Sequence, residues 1–382
     1  MIPLLSLCIW LYLFFAHGKF WLSSPELLPA QPSETPDVDV IVPARDEAET
    51  IGPVIASLLD QQYAGRFRVI LVDDDSTDGT AEIARAAAAA RGNGNSLLRV
   101  ISAARKPPAW SGKLWAVSQG VACAEAAVLL LADADIVHDP RHLATLVARL
   151  NSPRVDMVSE MVRLNCSSPA EKWLVPAFVY FFQMLYPFAR VNDPNSTVAA
   201  AAGGTVLIRR EALERIGGIE SIKGALIDDV TLAKAVKRGG RIYLGHSGLA
   251  VSMRRYPRAA DLWDMIARTA FTQLRYSTPL LALTLVGLSL VWWVPPAAAL
   301  FGGGWLGAPW PGAWPRAAGL AAFTLGALSF VPTLRRYRRN PLRSSALPLI
   351  ALFYMAATLA SAVNYWRGSG ARWKNRDYGG PS

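Results

Sequence analysis

Cysteine is scarce in this chain of 382 residues: Cys8, Cys123 and Cys166 are the full set, none close to another. That spacing excludes a disulfide scaffold and a cysteine-held zinc cluster, and it suits a reducing cytoplasm. Charge is scarce as well. Asp, Glu, Lys and Arg make up 18% of the residues and apolar or aromatic types 52%, where ordinary soluble domains carry roughly 25% charge. Such a chain is not intrinsically disordered. No repeat of solenoid period is visible. Acidic residues are outnumbered, 29 against 39 Lys and Arg, and the imbalance sits at one end. Nine basic residues and one acid lie from Arg335 onward. The remainder is close to neutral, which argues against a nucleic-acid binder.

Apolar runs and tryptophan, 13 residues of it, point instead to a membrane. Residues 1–22 form the first run, uncharged until Lys19. With no basic leader and no small-residue cleavage site, it reads as a retained transmembrane anchor rather than a removed signal peptide. A linker rich in Pro, Ser and Glu covers residues 23–36. Residues 277–366 contain three runs, 280–301, 317–334 and 346–366, each near the roughly 20 residues that cross a bilayer. Two to three transmembrane or re-entrant helices are expected there, because Pro295-Pro296 can kink or end the first run. A basic tail, residues 367–382, follows. The positive-inside rule puts residues 335–343 in the cytoplasm, on the same side as residues 37–276, at a membrane crossed several times. It also wants the tail inside, which three full spans forbid.

Residues 37–276 read as an α/β domain. Short β-rich runs such as Val38-Asp39-Val40-Ile41-Val42 alternate with helical patterns over residues 50–61 and 81–91, which implies a mostly parallel, Rossmann-like sheet with crossover helices. Ligands of such sheets bind beyond the carboxyl ends of the strands. Four acidic motifs fall at those ends.

The first, Pro43-Ala44-Arg45-Asp46-Glu47, opens a helix and can meet a nucleotide base. A capped helix start with acids favouring the dipole is the plainer account. In Asp73-Asp74-Asp75-Ser76-Thr77-Asp78, Asp78 suits a turn or N-cap, while Asp73 and Asp74 at the strand end suit hydrogen bonds from a base or ribose. In Asp133-Ala134-Asp135, alternation along an extended segment puts Asp133 and Asp135 on one side; two hard oxygen donors there suit Mg²⁺ or Mn²⁺. In Asp228-Asp229, Asp228 reads as an N-cap, which leaves Asp229 as a general base. Lys113 in Trp110-Ser111-Gly112-Lys113-Leu114-Trp115 offers a cation. Arg268 and Arg275, seven residues apart, share a helical face. Arg275 and Tyr276 serve either a diphosphate or the membrane interface. The aromatic run from Trp173 to Phe188, with Phe181 and Phe182, reads as an interfacial element that touches lipid; a buried core helix is the alternative. His138, His142 and His246 read as ordinary surface or loop residues.

These motifs in this order, with Gly203-Gly204-Thr205 and Arg209-Arg210-Glu211-Ala212-Leu213, resemble the family 2 glycosyltransferases with a GT-A fold. Trp110 to Ala116 and the apolar tail look most like the membrane-bound hopanoid-cluster members, with carotenoid and ceramide glycosyltransferases as cousins. The resemblance implies inverting transfer from a nucleotide-diphosphate sugar to a membrane-lipid hydroxyl. Asp229 would be the base. Pro43, Arg45, Glu47, Asp74, Lys113, Asp133, Arg275 and Tyr276 would bind the donor, Asp133 and Asp135 the metal. Gly203, Gly204, Phe181, Phe182 and Asp228 would lie on the acceptor side. The family's Q/R-x-x-R-W element becomes Thr272-Gln273-Leu274-Arg275-Tyr276, and Thr272 departs from it, which favours single transfer over processive synthesis. Two rival classes fare worse. A nucleotidyltransferase needs a Gly-rich phosphate loop after the first strand, and Pro43 to Ala48 has no glycine. A membrane scaffold leaves the acidic strand ends unexplained.

Overall fold

The computed structural model describes residues 1–92, 94–302 and 313–368, with the backbone of 372–373 and 376–377. Among them, nine strands join in one sheet: β1 (Glu26–Leu27), β2 (Val38–Ala44), β3 (Phe67–Asp73), β4 (Leu98–Ser102), β5 (Val128–Ala132), β6 (Ile136–His138), β7 (Val155–Arg163), β8 (Thr205–Arg209) and β9 (Arg241–Ser252). Their order is β1-β9-β7-β8-β5-β2-β3-β4, with β6 on β9. Pairs β5·β2, β2·β3 and β3·β4 are parallel, whereas β8 runs antiparallel to both its neighbours. This is a GT-A-like mixed α/β fold.

The two-residue period of the strands sorts the core onto two faces. Val40, Val42, Val69, Leu71 and Leu130 pack beneath the helices Ala48–Leu59, Thr80–Ala89 and His142–Leu150. Ile41, Ile70, Val72 and Leu129 face the helices Gly112–Cys123 and Pro169–Leu185. β-branched residues predominate because strands buried on both faces exclude water from their side chains as well as their backbone.

The helix Pro169–Leu185 contains most of the aromatic run expected at the lipid interface. It starts in a capping box, Ser168 with Glu171. Glu171 is buried, and it accepts from the backbone N–H of Ser167 and Ser168. Leu174, Val175, Ala177, Val179 and Tyr180 are buried too, and the Tyr180 hydroxyl meets Ser329 Oγ at 2.6 Å. The interfacial expectation is therefore corrected to its alternative, a core helix between the sheet and the apolar C-terminal helices. The reason is tertiary: those helices cover the face that hydropathy alone leaves open.

By length and composition two helices can cross a membrane, Trp314–Arg336 and Pro341–Trp366, or three if the bent pair Ala259–Gln273 and Thr278–Trp292 counts as one. The expected run 280–301 is broken. It divides into Thr278–Trp292 and Val294–Phe301, where Pro295 and Pro296 supply no N–H to continue the first helix. The anchor expected over residues 1–22 is also shorter, an apolar helix Ile2–Ala16 of about 22 Å at 1.5 Å per residue. It packs sideways. Trp10 Nε1 donates to Val291 O at 2.8 Å, and a Cβ on Gly326 would come within 2.9 Å of the Trp10 ring. Gly326 is what lets the two helices approach.

The turn after Arg335 lies against the α/β domain. Arg336 pairs with Glu26 at 3.2 Å and donates to Ser23 O at 3.0 Å, Arg339 donates to Cys166 O and Arg343 to Lys172 O.

Candidate active site

Strands β2, β3 and β5 run parallel and end at one edge, so their acidic loops meet. The loops after β2 and β3 interlock. Asp46 N–H donates to Ser76 Oγ at 3.0 Å, Thr77 N–H to Asp46 Oδ1 at 2.9 Å, Glu47 N–H to Thr80 Oγ1 at 2.9 Å and Ala48 N–H to Asp78 Oδ2 at 2.9 Å. Desolvation raises the Asp78 pKa, but the hydrogen bonds from Thr80 and Ala48 carry it below the ordinary carboxylate value. Asp46 and Asp75 adopt left-handed φ of 49° and 61°, a region that Asp tolerates better than most residues. Arg45 lies over Asp74. Its guanidinium donates to Asp74 O at 2.5 Å and stands 3.9 Å from the Asp74 carboxylate, which is buried.

Beside them opens a pocket of about 410 Å³, lined by Pro43, Lys113, Asp133, Gly203, Asp228 and Asp229 among others. Ser111 caps the helix that carries Lys113, accepting from Leu114 N–H at 3.3 Å. Lys113 Nζ sits 2.8 Å from Asp133 Oδ1 and 3.2 Å from Asp228 Oδ2. Desolvation opposes its charge, but Asp133 and Asp228 outweigh that and raise its pKa. Asp133 is raised, chiefly by desolvation against the pull of Lys113. Asp229 is pushed up to about 7 by desolvation and then by Asp228, with Lys113 opposing.

Asp228 is not the N-cap that its sequence context suggests. Ile227 holds that position, and Asp228 is the first residue of the helix Asp228–Lys237, so its carboxylate turns to Lys113. Asp229 Oδ1 accepts from Val230 N–H at 2.7 Å. The two expected acceptor-side glycines separate. A Cβ on Gly203 would lie 3.2 Å from Asp229 Oδ2, whereas one on Gly204 would meet Val162 and Ile136. Gly203→Ala is therefore expected to shift Asp229 by a few tenths of an ångström. If Asp229 is the base expected from the sequence, turnover should fall about tenfold, because catalytic geometry is sensitive on that scale. Steady-state kinetics check this, and a wild-type kcat would refute it.

Asp133 and Asp135 do not share the side that an extended segment imposes. Residues 134–135 form a turn, with Ile136 N–H to Asp133 O at 3.3 Å. Asp133 goes to Lys113, while Asp135 Oδ2 takes Arg254 Nε at 2.7 Å. Arg254 also reaches Glu47 Oε1 at 3.3 Å. It is the site residue that sequence reasoning missed, since it stands 119 residues from Asp135 and outside the acidic motifs. Among the described residues, no group of three or more His, Cys, Asp or Glu is gathered as a metal cage.

Other expected site residues lie elsewhere. The helix carrying Arg268 ends at Gln273, so Arg268 and Arg275 do not share a helical face. Arg275 and Tyr276 take left-handed φ of 52° and 56° at the bend. Neither lines the pocket, and Tyr276 stacks on Tyr365 with ring centroids 4.5 Å apart. Gln273, one residue along from the departing Thr272, donates to the Tyr186 hydroxyl at 2.5 Å. Phe181 packs on Trp292 and Tyr354, Phe182 on Tyr186 and Phe188. His138, His142 and His246 are buried rather than on the surface: His142 pairs with Glu160, and His246 lies between Ser23 and Gln183.

Comparison with known proteins bears on the same strand ends. Residues 39–217 match the family model described as glycosyl transferase family 2. An N-acetylglucosaminyltransferase of Bradyrhizobium elkanii is 30% identical over 142 residues, 36% of this chain and 72% of the relative. A dodecaprenyl-phosphate galacturonate synthase of Rhizobium johnstonii is 26% identical, over 33% of this chain and 36% of its own. For a 4,4'-diaponeurosporenoate glycosyltransferase of Staphylococcus haemolyticus the figures are 32%, 28% and 26%. The chain thus spans about a third of the length of the first of these last two relatives and about a quarter of the second. A mannosyltransferase of Pyrobaculum calidifontis, solved with GDP-Man and Mn²⁺, has a TM-score of 0.54 at 21% identity and covers 95% of this chain and 98% of its own. That likeness shows the fold. The sequence matches place the chain in glycosyl transferase family 2.

Proposed function

We propose that this protein transfers a sugar, with inversion, from a nucleotide-diphosphate sugar to the hydroxyl of a membrane lipid related to the hopanoids. The observation that carries the reading is Asp229, a carboxylate with a pKa pushed up to about 7, in one pocket with the Lys113–Asp133 pair. A base works best when its pKa lies near the working pH. An alcohol must lose a proton in order to attack, whereas a phosphate acceptor arrives ionised and needs no base. Two relatives are named for dodecaprenyl-phosphate and 4,4'-diaponeurosporenoate, each a long apolar chain with an ionised head. The apolar C-terminal helices agree with an acceptor held in a bilayer. The hopanoid assignment rests on the sequence from Trp110 to Ala116 and the apolar tail. The domain would face the cytoplasm.

Asp229 takes the acceptor proton in this scheme, and the single base suits one in-line displacement. Lys113, tethered by Asp133 and Asp228, presents its charge to the diphosphate. Arg45, Asp74, Pro43 and Glu47 would meet the nucleoside. For Mg²⁺ or Mn²⁺ the donor chemistry fits at Asp133, a hard oxygen ligand that desolvation leaves in want of further positive charge, whereas Asp135 would join it only by giving up its pair with Arg254. Bound there, the ion would stabilise the charge of the leaving diphosphate.

Asp229 must be ionised to act. With a pKa of about 7, kcat/KM should rise roughly tenfold per pH unit below that value and level off above it. A profile flat from about pH 5.5 to 8.5 would remove Asp229 as the base. The function itself is tested by incubating the purified protein with common nucleotide sugars, Mn²⁺ and either a hopanoid alcohol or a polyprenyl phosphate, with mass spectrometry of the lipids. Glycosylated alcohol is expected. Product on the phosphate alone would shift the reading to a polyprenyl-phosphate transferase, and no nucleoside diphosphate release with any donor would end it.

A further inference from the structure

Arg254 joins two acidic loops that come from different strands. Strand β9 pairs antiparallel with β6, Ile136 opposite Ser252, and Met253 N–H donates to Asp135 O at 2.7 Å. Backbone register thus delivers Arg254 beside the turn that carries Asp135. Its Nε donates to Asp135 Oδ2 at 2.7 Å and its Nη2 to Glu47 Oε1 at 3.3 Å. Glu47 follows β2 and is fixed from its other side, where Oε2 accepts from Thr50 Oγ1 at 3.2 Å. Asp135 follows β5, two residues beyond Asp133, whose own carboxylate holds Lys113.

An arginine–carboxylate pair is strongest when two N–H groups of one guanidinium meet both oxygens of one carboxylate. Arg254 divides its fork instead, one bond to each of two carboxylates. Release of Asp135 therefore breaks a single bond and leaves the one to Glu47. The Arg254 side chain is 37% exposed and that of Asp135 only 10%, so the cation has water to withdraw into and the carboxylate does not. A guanidinium spreads one weakly hydrated charge over a plane. Mg²⁺ or Mn²⁺ gathers two charges on one hard centre that prefers carboxylate oxygen. We propose that Arg254 competes with the divalent ion for Asp135: it holds the carboxylate until an ion also bound by Asp133 draws Asp135 away, and it then swings out on its bond to Glu47. Arg254 thereby sets the ion concentration at which Asp133 and Asp135 act together. The inference rests on the reading that Asp133 binds a divalent ion.

The test measures Mn²⁺ binding to the full chain in detergent, without donor or acceptor, from the electron paramagnetic resonance signal of the free ion. If Arg254 leaves Asp135 open in roughly 10% of molecules, apparent affinity lies about tenfold below that of the open site. Arg254→Gln should accordingly tighten Mn²⁺ binding about tenfold. Removing a nearby positive charge also favours a cation by plain repulsion, so a double-mutant cycle separates the two effects. Asp135→Asn should weaken binding, and adding Arg254→Gln to it should change the affinity by less than about twofold, because no carboxylate is left to release. A gain in that background as large as in wild-type protein overturns the inference. So does a folded Arg254→Gln whose Mn²⁺ affinity stays at the wild-type value. Thermal melting identifies a variant that fails to fold. In that event Arg254→Lys decides: its ammonium keeps the charge but lacks the planar fork that spans both carboxylates, so binding should still tighten, and an unchanged affinity overturns the inference. Failure of the underlying reading looks different. If neither wild-type protein nor Arg254→Gln binds Mn²⁺, the divalent-ion reading falls and takes the inference with it. If wild-type protein binds the ion and Arg254→Gln binds it no better, the inference alone falls.

Discussion

Asp229→Asn should lower sugar transfer by about 10²–10⁴-fold, the usual worth of a positioned general base. Asparagine keeps the shape of the side chain but cannot take a proton, so donor affinity should stay within a few-fold of wild type. The same substitution should stabilise the fold at pH 8. The sign follows from the pKa, which is about 7 in the native pocket against an ordinary value of 3.8. A carboxylate raised in this way favours the folded state fully below about 3.8, and that contribution is lost as pH rises from there through about 7. At pH 8 the wild-type protein holds a charge there that Asn removes. Activity falls and the melting temperature rises, a combination that ordinary structural damage does not produce. Full transfer by Asp229→Asn, or a lower melting temperature at pH 8, would sink the assignment.

The second large effect is expected at Asp133. Its carboxylate tethers Lys113 at 2.8 Å and, in the proposed scheme, offers an oxygen to the divalent ion. Asp133→Asn should lose both and cost about 10²–10³-fold in turnover, the scale on which preorganised electrostatic groups act. A binding readout distinguishes this from simple distortion. Mn²⁺ with a nucleoside diphosphate should raise the melting temperature of wild-type protein, since any ligand that binds only the native state stabilises it. The shift should vanish in Asp133→Asn. An undiminished shift would show that any ion is held elsewhere, and Asp135 would lose its reason as well.

Much of this site was legible in the residues alone, for a physical reason. Runs such as Val69-Ile70-Leu71-Val72 can be buried on both faces only as central strands, and charge must wait until the strand ends. An aspartate directly after such a run therefore marks the edge where ligands of such sheets bind, and Asp74 and Asp133 stand at that edge. Where their side chains turn was not legible. The turn at Ala134 and Asp135 is set with Arg254, a partner far away in the chain. Asp228 looked like a cap because its neighbours favour one, but Lys113 competes for the carboxylate and wins. In the apolar regions hydropathy shows how many residues water would avoid, not what covers them. Hence the helix at Pro169 reads as interfacial in the sequence, although Tyr180 and its neighbours are buried against the C-terminal helices. The buried His142 paired with Glu160 leaves no pattern at all, since His142 opens a helix and its partner lies on strand β7.

The hydrogen bonds between the loops after β2 and β3 have a thermodynamic consequence. Thr77 to Asp46, Ala48 to Asp78 and Glu47 to Thr80 brace the expected nucleoside side of the cleft before any ligand arrives. Little conformational freedom is then left there to lose, so ordering costs weigh little against affinity. Discrimination between bases would come from the misfit of a wrong base against a stiff wall rather than from closure around the right one. Calorimetry of nucleotide binding should accordingly show a modest entropic penalty, unlike a site that folds around its ligand.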